Sequence, residues 1–554
     1  MAISRISFGE WTPDQPGITN GLQKAENVFP QAVGYGPIKS AVDYSDSASE
    51  NLNNVVAGKT SAGATIVLAG GPTKLFKLDA TDLSLDNVSK AGRSITTVAR
   101  TTNVVTITTS ANHLYSIGDV VTVTAVGNTD INGTFTILTV PTATTFTYDD
   151  AGTNIVSGAD TGTVVFTYTT PTDQRWRFTQ FGNVIVAANG GNRLQGYNLN
   201  SSATFQDLAA DAPASRYVTV VRDFVVSGYV GSTFPNRVQW SALGDESSWA
   251  NSATTQADFQ DIPDGGAVVG VTGGEFGLVF LDRAIHRMSY VGSPLVFQFD
   301  NISRNLGCYE PNSIIQYGGT SFFLASDGFY ACDGQQIIPI GNEKVNRFFY
   351  SDADEGLLNL MSVAVDPFRK LIVWSYASVS SAVPDKLLIF NFQTNAWSSG
   401  TTSVSRVASS SSPAFTLEGL DVFGTLEQIQ SSFDDRVWLG GKMQFAGVKN
   451  AKIITFSGAP MTATIETGDV EIPSTTSAIT MAKPIVDNGS ANVALFSRRL
   501  LNEQVVFGSQ VVADSENRVS IRGIGRYHRL QLTPTGMWTS AVGTDIDLNG
   551  LGTR

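Results

Sequence analysis

Three histidines, His113, His286 and His528, are the side chains of this 554-residue chain whose type suits proton transfer near neutral pH. They stand far apart in sequence, and none shows the His-x-x-x-His spacing that turns two imidazoles toward one metal ion. No Gly-x-Ser-x-Gly elbow is present to present a serine nucleophile. Gly70-Gly71-Pro72-Thr73-Lys74 combines glycine with lysine but lacks the P-loop spacing, and it reads as a hairpin turn. Asp352-Ala353-Asp354-Glu355-Gly356 offers hard oxygen ligands without the alternation or length of a calcium loop, and it reads as a turn or short helix start. Asp149-Asp150 and Asp434-Asp435 read as turn residues. A glycosidase pair cannot be nominated from sequence, because its signature is the distance between two carboxyl groups. The expectation is a protein that is not an enzyme, with no catalytic residue, no metal ligand and no cofactor.

The densest positive positions are Arg498-Arg499 and the trio Arg522, Arg526 and Arg529. They could pair with acidic groups of their own domain, or form a docking surface for an acidic neighbouring subunit. We take all five as candidate subunit-docking residues. Alternation along a strand would place Arg522 and Arg526 on one face and Arg529 on the other. The whole chain is acidic, with 36 basic against 49 acidic residues and a net charge of −13. That disfavours a surface that grips nucleic-acid backbone, though not a wall past which nucleic acid slides. Cys308 and Cys332 are too few for a disulfide framework and read as buried thiols of a protein made in a reducing cytosol. The opening residues Met1 to Gly9 carry no apolar core of a secretion signal, and no apolar run reaches the length of a membrane span.

The elements that must position these groups are strands. Thr, Ser, Gly, Asn and Val dominate, and long runs with helical period are nearly absent. Roughly every 40–55 residues the middle of the chain repeats an apolar run, a polar turn, a second apolar run and an aromatic or acidic tag. Copies lie at Trp176–Tyr197, Tyr217–Trp240, Val268–Tyr290, Ser313–Tyr330 and Val363–Trp397. Each is too short to bury its own apolar face, so the copies must stack. The fold class expected is all-β: a β-propeller of six or seven blades.

Residues 1–46 read as an extended arm with turns at Pro13–Gly17 and Gly34–Pro37, and 47–93 as a first propeller segment containing the hairpin Ala64–Leu78. Residues 94–168 are rich in Thr and Val and read as an inserted small β-barrel or sandwich. The propeller body follows over 169–458, with strands expected at Thr425–Ile429, Arg436–Gly440 and Ile453–Phe456 to complete its last blade. Residues 459–554 read as a C-terminal β-sandwich-like domain.

Several phrases resemble one family. Phe8-Gly9-Glu10-Trp11-Thr12-Pro13-Asp14-Gln15-Pro16, Ala25-Glu26-Asn27-Val28-Phe29-Pro30 and Gly34-Tyr35-Gly36-Pro37 are similar to the N-terminal arm of tail hub or nozzle proteins of short-tailed bacteriophages, the packaged-DNA stabilisation proteins. Ser326–Gly334 resembles a blade phrase of that group, and Ser497-Arg498-Arg499, Asn502-Glu503, Phe507-Gly508 and Gly525–Leu530 resemble its C-terminal run. Val104–Thr109, His113–Asp119, Asn132–Phe135 and Tyr148 resemble a small β-module of phage virion proteins. The resemblance implies a structural virion protein of the tail, made in the host cytoplasm. It would form a ring, expected to be six-fold, below the portal and adaptor proteins, near tail fibres or spikes. Such a ring retains packaged DNA and conducts it during ejection without reading its sequence, and an acidic lumen would keep the phosphates mobile. The competing reading is a tail component that binds or hydrolyses host-surface carbohydrate; a third is a propeller interaction platform outside any virus.

Overall fold

The computed structural model describes residues 2–18, 21–413, 426–429, 431–433, 436–438, 440–471 and 476–552. The chain divides into two compact units: residues 45–308 with 450–452, and residues 1–44, 309–449 and 453–554. Both are built almost wholly from short antiparallel strands, and the fold is of the β-propeller class. Among the described residues six separate four-stranded sheets are present, and a seventh four-stranded run, over 362–401, heads a nine-stranded sheet; these are the blades of that class.

Four of them lie in the first unit and span 54–87, 177–207, 215–261 and 268–303. Their second strands, Thr65–Gly70, Val184–Ala188, Phe224–Val230 and Gly277–Leu281, are the most apolar, because both faces are largely covered. Gly277–Leu281, for example, is buried at every position. Three of the fourth strands, Leu85–Asn87, Gln206–Asp207 and Asp258–Asp261, are short and carry aspartate, which suits a solvent-facing sheet edge. The hairpin read at residues 64–78 is formed by Thr65–Gly70 and Leu75–Leu78.

The Thr/Val-rich insertion folds within this unit as a closed barrel. Arg93–Thr101 pairs with Val104–Thr109, and the order continues through Thr145–Asp149, Gly133–Thr142, Val120–Thr124 and Thr163–Thr167 back to Arg93–Thr101. Alternation sends Val105, Ile107, Val121, Val123, Phe146 and Phe166 inward, while threonine hydroxyls pair on the outside, as in Thr122 with Thr134 at 3.1 Å. Ile155–Ala159 adds a further strand along Arg93–Thr101.

The second unit holds the remaining three meanders, at 315–339, 362–401 and 406–455. Tryptophans fill their core: Trp374 and Trp397 stack at 5.8 Å, and their indole N–H groups donate to the carbonyls of Ser313 (2.9 Å) and Ile340 (3.0 Å). The last meander departs from expectation. Leu426–Gln428 and Arg436–Trp438 are 3-10 turns rather than strands, and only Lys452–Thr455 of the three expected strands is present. Its fourth strand is instead Val42–Asp43, which pairs with Ile454 and Thr455. A two-residue strand has no period to read, so sequence pattern could not find it.

The described residues of the arm carry five short strands. Ala2–Ser7 pairs along Ser540–Gly552, and Lys24–Glu26 pairs with Thr464–Glu466. The C-terminal strands thus form two sheets, each completed by arm residues. Tyr35 donates its hydroxyl to Gly9 O (3.0 Å), and Trp11 its indole N–H to Gln23 O (3.2 Å). The Asn27 amide donates to Thr462 O (2.9 Å) and accepts from the Thr401 N–H (2.8 Å). Asp14 accepts from the N–H groups of Arg347 (2.9 Å) and Phe348 (2.8 Å), capping the helix Asn346–Asp352 from outside. Gly34 has φ +72°, and a Cβ there would lie 2.2 Å from Ala541 O, so the arm's tight turn against Ser540–Gly552 demands glycine.

Candidate functional site

The five nominated arginines separate into two groups. Arg498 closes the strand Ser490–Arg498 and Arg529 lies on Tyr527–Thr535, and these neighbouring strands carry both guanidiniums to one carboxylate. Arg529 donates to Asp469 through Nε (2.9 Å) and Nη2 (3.1 Å), and through Nη1 to Glu466 (3.3 Å). Arg498 donates from Nη2 to Asp469 as well, and from Nη1 to the carbonyls of Leu501 (2.6 Å) and Glu503 (3.1 Å). The Asp469 side chain is 1% exposed. Burial lifts the Glu466 carboxyl above its ordinary range, with Arg529 opposing. Burial likewise opposes the Arg529 cation, but the hydrogen bonds and charge of Asp469 outweigh it and hold its pKa above the usual value. This is a buried ion cluster of the molecule's own making.

Arg499, Arg522 and Arg526 are exposed. Arg526 stands 3.5 Å from Glu471, and among the described residues neither Arg499 nor Arg522 has an ion-pair partner. Arg522 and Arg526 share the outward face and Arg529 turns inward, although the strand breaks at Arg526 between Val519–Gly525 and Tyr527–Thr535. Beside the ion cluster, Asp469, Val470 and Glu471 face Ser4–Gly9 across a cleft of about 640 Å³. Both Ala2–Ser7 and Val470–Glu471 are outer strands of their sheets.

The histidines are packed singly. His113 Nδ1 accepts from the Tyr115 N–H (2.9 Å), and its ring stacks on Tyr115 at 5.0 Å. His286 meets the Asn301 amide at 3.3 Å. His528 is held between the hydroxyls of Ser477 and Ser497, each at 2.8 Å. Burial is the leading cause that lowers the pKa of all three. For His528 the sign follows directly: the unfolded imidazole takes a proton near its ordinary pKa of 6.5, the folded one resists it. Stability is therefore full above about pH 6.5 and falls as the pH drops through and below that value. Thermal unfolding followed from pH 7.5 to 5 should show a decline that His528→Gln makes shallower; an unchanged slope would exclude this contribution.

The acidic candidates serve local structure. Asp354 accepts from the Gly356 N–H (2.9 Å) at the start of a 3-10 turn, and Asp352 ends the preceding helix. In the 71–74 turn, Glu50 accepts from the N–H groups of Thr73 (2.9 Å) and Lys74 (2.8 Å). Asp434-Asp435 lies outside the described residues. Cys308 and Cys332 are buried and not joined in a disulfide. Among the described residues no group of three or more His, Cys, Asp or Glu side chains is gathered as a metal site, and no helix is long and apolar enough to cross a membrane.

One polar cluster carried no sequence signal. Lys90 is 1% exposed, 2.8 Å from Asp207 and 3.3 Å from Asp119, and its ammonium lies 4.3 Å from the centre of the Phe166 ring. Gln195 donates to Asp207 (2.7 Å) and accepts from the Tyr168 hydroxyl (3.1 Å). Burial pushes the Asp119 carboxyl up, with Lys90 opposing. The cluster ties the barrel, through Asp119, to the 177–207 blade, through Asp207.

No family model matches this chain, and no curated protein matches it. Among solved structures it is similar to the computationally designed Ika8 protein at 10% identity and TM-score 0.32, over 75% of this chain and 98% of that one. The Cps50 (Swd1) β-propeller domain of Myceliophteria thermophila follows at 9% identity and TM-score 0.23, over 42% and 89%. The endosialidase of phage phi92 is similar at 12% identity and TM-score 0.19, over 82% and 69%.

Proposed function

We propose that this chain is one subunit of a tail nozzle or hub ring of a short-tailed bacteriophage, seated below the portal and adaptor, which retains packaged DNA and conducts it during ejection. The observation that supports this most is the role of the arm. Residues that resemble the nozzle family fasten the arm: Trp11 packs edge-on against Phe348 and Asp14 caps the helix, Asn27 bonds to Thr401 of the 362–401 blade and to Thr462, and Gly34 and Tyr35 turn against Ala541. A signature made of architectural residues fits a protein whose work is to be a rigid part of an assembly.

The buried ion clusters serve the same end, since their charges are paired within the fold. A net charge of −13 suits a conduit that DNA must pass without sticking. DNA would be contacted without sequence preference, and the stable partners would be further copies, the portal and adaptor, and tail fibres or spikes. A closed ring needs two different, complementary surfaces on each subunit. Native mass spectrometry and electron microscopy of the purified protein should reveal a closed ring, with six copies expected, and the intact particle should carry the same ring in its tail. A strict monomer at high concentration, with no such ring in the particle, would overturn the reading.

A further inference from the structure

One end of the C-terminal sandwich gathers exposed aliphatic side chains from separate stretches of the chain. Leu500, 61% exposed, and Leu501 follow Arg499 just past the strand Ser490–Arg498, and Val506 lies five residues further along. Arg498 O accepts from the Arg526 N–H (2.8 Å), which brings Ile524 to this end. Gly525 pairs with Ser477, and Ser477 with Gly550, which brings Leu551. All five aliphatic side chains are exposed. The close approach is built in, because a Cβ on Gly525 would lie 2.7 Å from Arg498 O. Around these side chains stand the exposed Arg499, Arg522 and Arg526, with Glu471 and Glu503 as exposed carboxylates, while Asp469 and Glu466 are taken up by the buried Arg498 and Arg529. The surface is aliphatic with a basic excess in a chain that is acidic overall.

A second patch of the same unit has the opposite character. The bridge Ala353–Ser378 and the bonds Val379 N–H to Asp352 O (2.8 Å) and Asp354 N–H to Ala377 O (3.0 Å) hold the loop 377–385 against the end of the helix Asn346–Asp352. Val379, 68% exposed, and Val383 protrude from it. Asp352, Asp354, Glu355 and Asp385 lie beside them. The described partners of these carboxylates are neutral: the Tyr376 hydroxyl on Asp352, the Gly356 N–H on Asp354, and Ser378 on Asp385. Lys386, half-buried on the adjoining strand, leaves the patch with an acidic excess.

We propose that the aliphatic, basic end of the C-terminal sandwich docks head-to-tail onto the aliphatic, acidic patch around Val379, Val383 and Glu355 of a second copy of this chain. Each patch alone would be a solvation liability, and together they match in both apolar character and sign of charge. The two surfaces differ, so the contact is heterologous and propagates from copy to copy. The contact deepens the ring reading and rests on it only for closure of the ring, not for the pairwise docking.

The test uses the full chain in light scattering and native mass spectrometry at low and high salt. Wild type should self-associate, less so at high salt because the exposed charges are screened. Arg522→Glu/Arg526→Glu and, separately, Glu355→Arg/Val383→Arg should each weaken association by about tenfold or more while keeping the wild-type circular dichroism and melting curve. Mixed in equal amounts, the two reversed variants should associate again, because each then carries the complement of the other. Leu500→Asp, which disturbs no ion pair, should weaken association in the same way. Rings that persist in both reversed variants would overturn this contact and leave the ring reading standing. Open chains or dimers that are lost on reversal and restored on mixing would support the contact and remove the closed ring. A mixture that stays dissociated would overturn the contact.

Discussion

Asp469→Ala should lower the unfolding free energy by about 3–5 kcal/mol, the usual loss when one partner of a buried ion pair is removed. Two cations depend on this carboxylate. Arg529 would keep its longer bond to Glu466, and Arg498 its bonds to the carbonyls of Leu501 and Glu503, but both guanidiniums are at most 12% exposed. Water cannot replace the lost charge without opening the sheet. The energy at stake is that of cations left uncompensated, not the net worth of the pairing. Asp469→Leu combined with Arg498→Met should therefore recover much of the loss. Urea unfolding of the three proteins decides the point. A loss below about 1 kcal/mol for Asp469→Ala would mean that the group behaves as a solvated surface bridge. Arg498 also fixes the turn that carries Leu500 and Leu501, so the single variant should become more sensitive to protease near residue 500.

Lys90→Met should cost a similar amount, about 3–5 kcal/mol, in the unit that contains the barrel. Methionine keeps much of the packing on Phe166 but leaves Asp119 and Asp207 facing one another without a cation. Asp119 is already pushed toward its protonated form by burial, and without Lys90 it moves further that way. The destabilisation should consequently be largest near neutral pH and shrink as the pH falls and Asp119 takes up a proton. Adding Asp119→Asn and Asp207→Asn to Lys90→Met should restore much of the stability. Hydrogen exchange across 93–167 and 177–207 gives the readout. Wild-type protection in Lys90→Met would show that this cluster does not hold the barrel to the blade.

The strands were legible where burial imposes a pattern. Central blade strands such as Gly277–Leu281 and Leu371–Tyr376 are covered on both faces, so they read as unbroken apolar runs. Barrel strands such as Val120–Thr124 alternate because one face is filled and the other wet. The last blade was misread because its closing strand comes from the far end of the chain, while Leu426–Gln428 and Arg436–Trp438 wind into 3-10 turns. Of the arginines, sequence could mark the cluster but not divide it. Arg498 and Arg499 are adjacent, yet one is buried against Asp469 and the other faces solvent, because the strand ends at Arg498 and Arg499 begins the bend that follows.

By itself, then, the sequence determined the all-β class, the repeat of blade-like meanders, the inserted Thr/Val-rich module and the acidic character of the whole, because these follow from local period and composition. Only the tertiary structure decided which charges meet and which remain outward. Lys90 with Asp207, Asp469 with two arginines, and the Arg498 carbonyl with the Arg526 N–H are juxtapositions of residues well apart in the chain. Strand register and sheet order set them, and no local pattern encodes either.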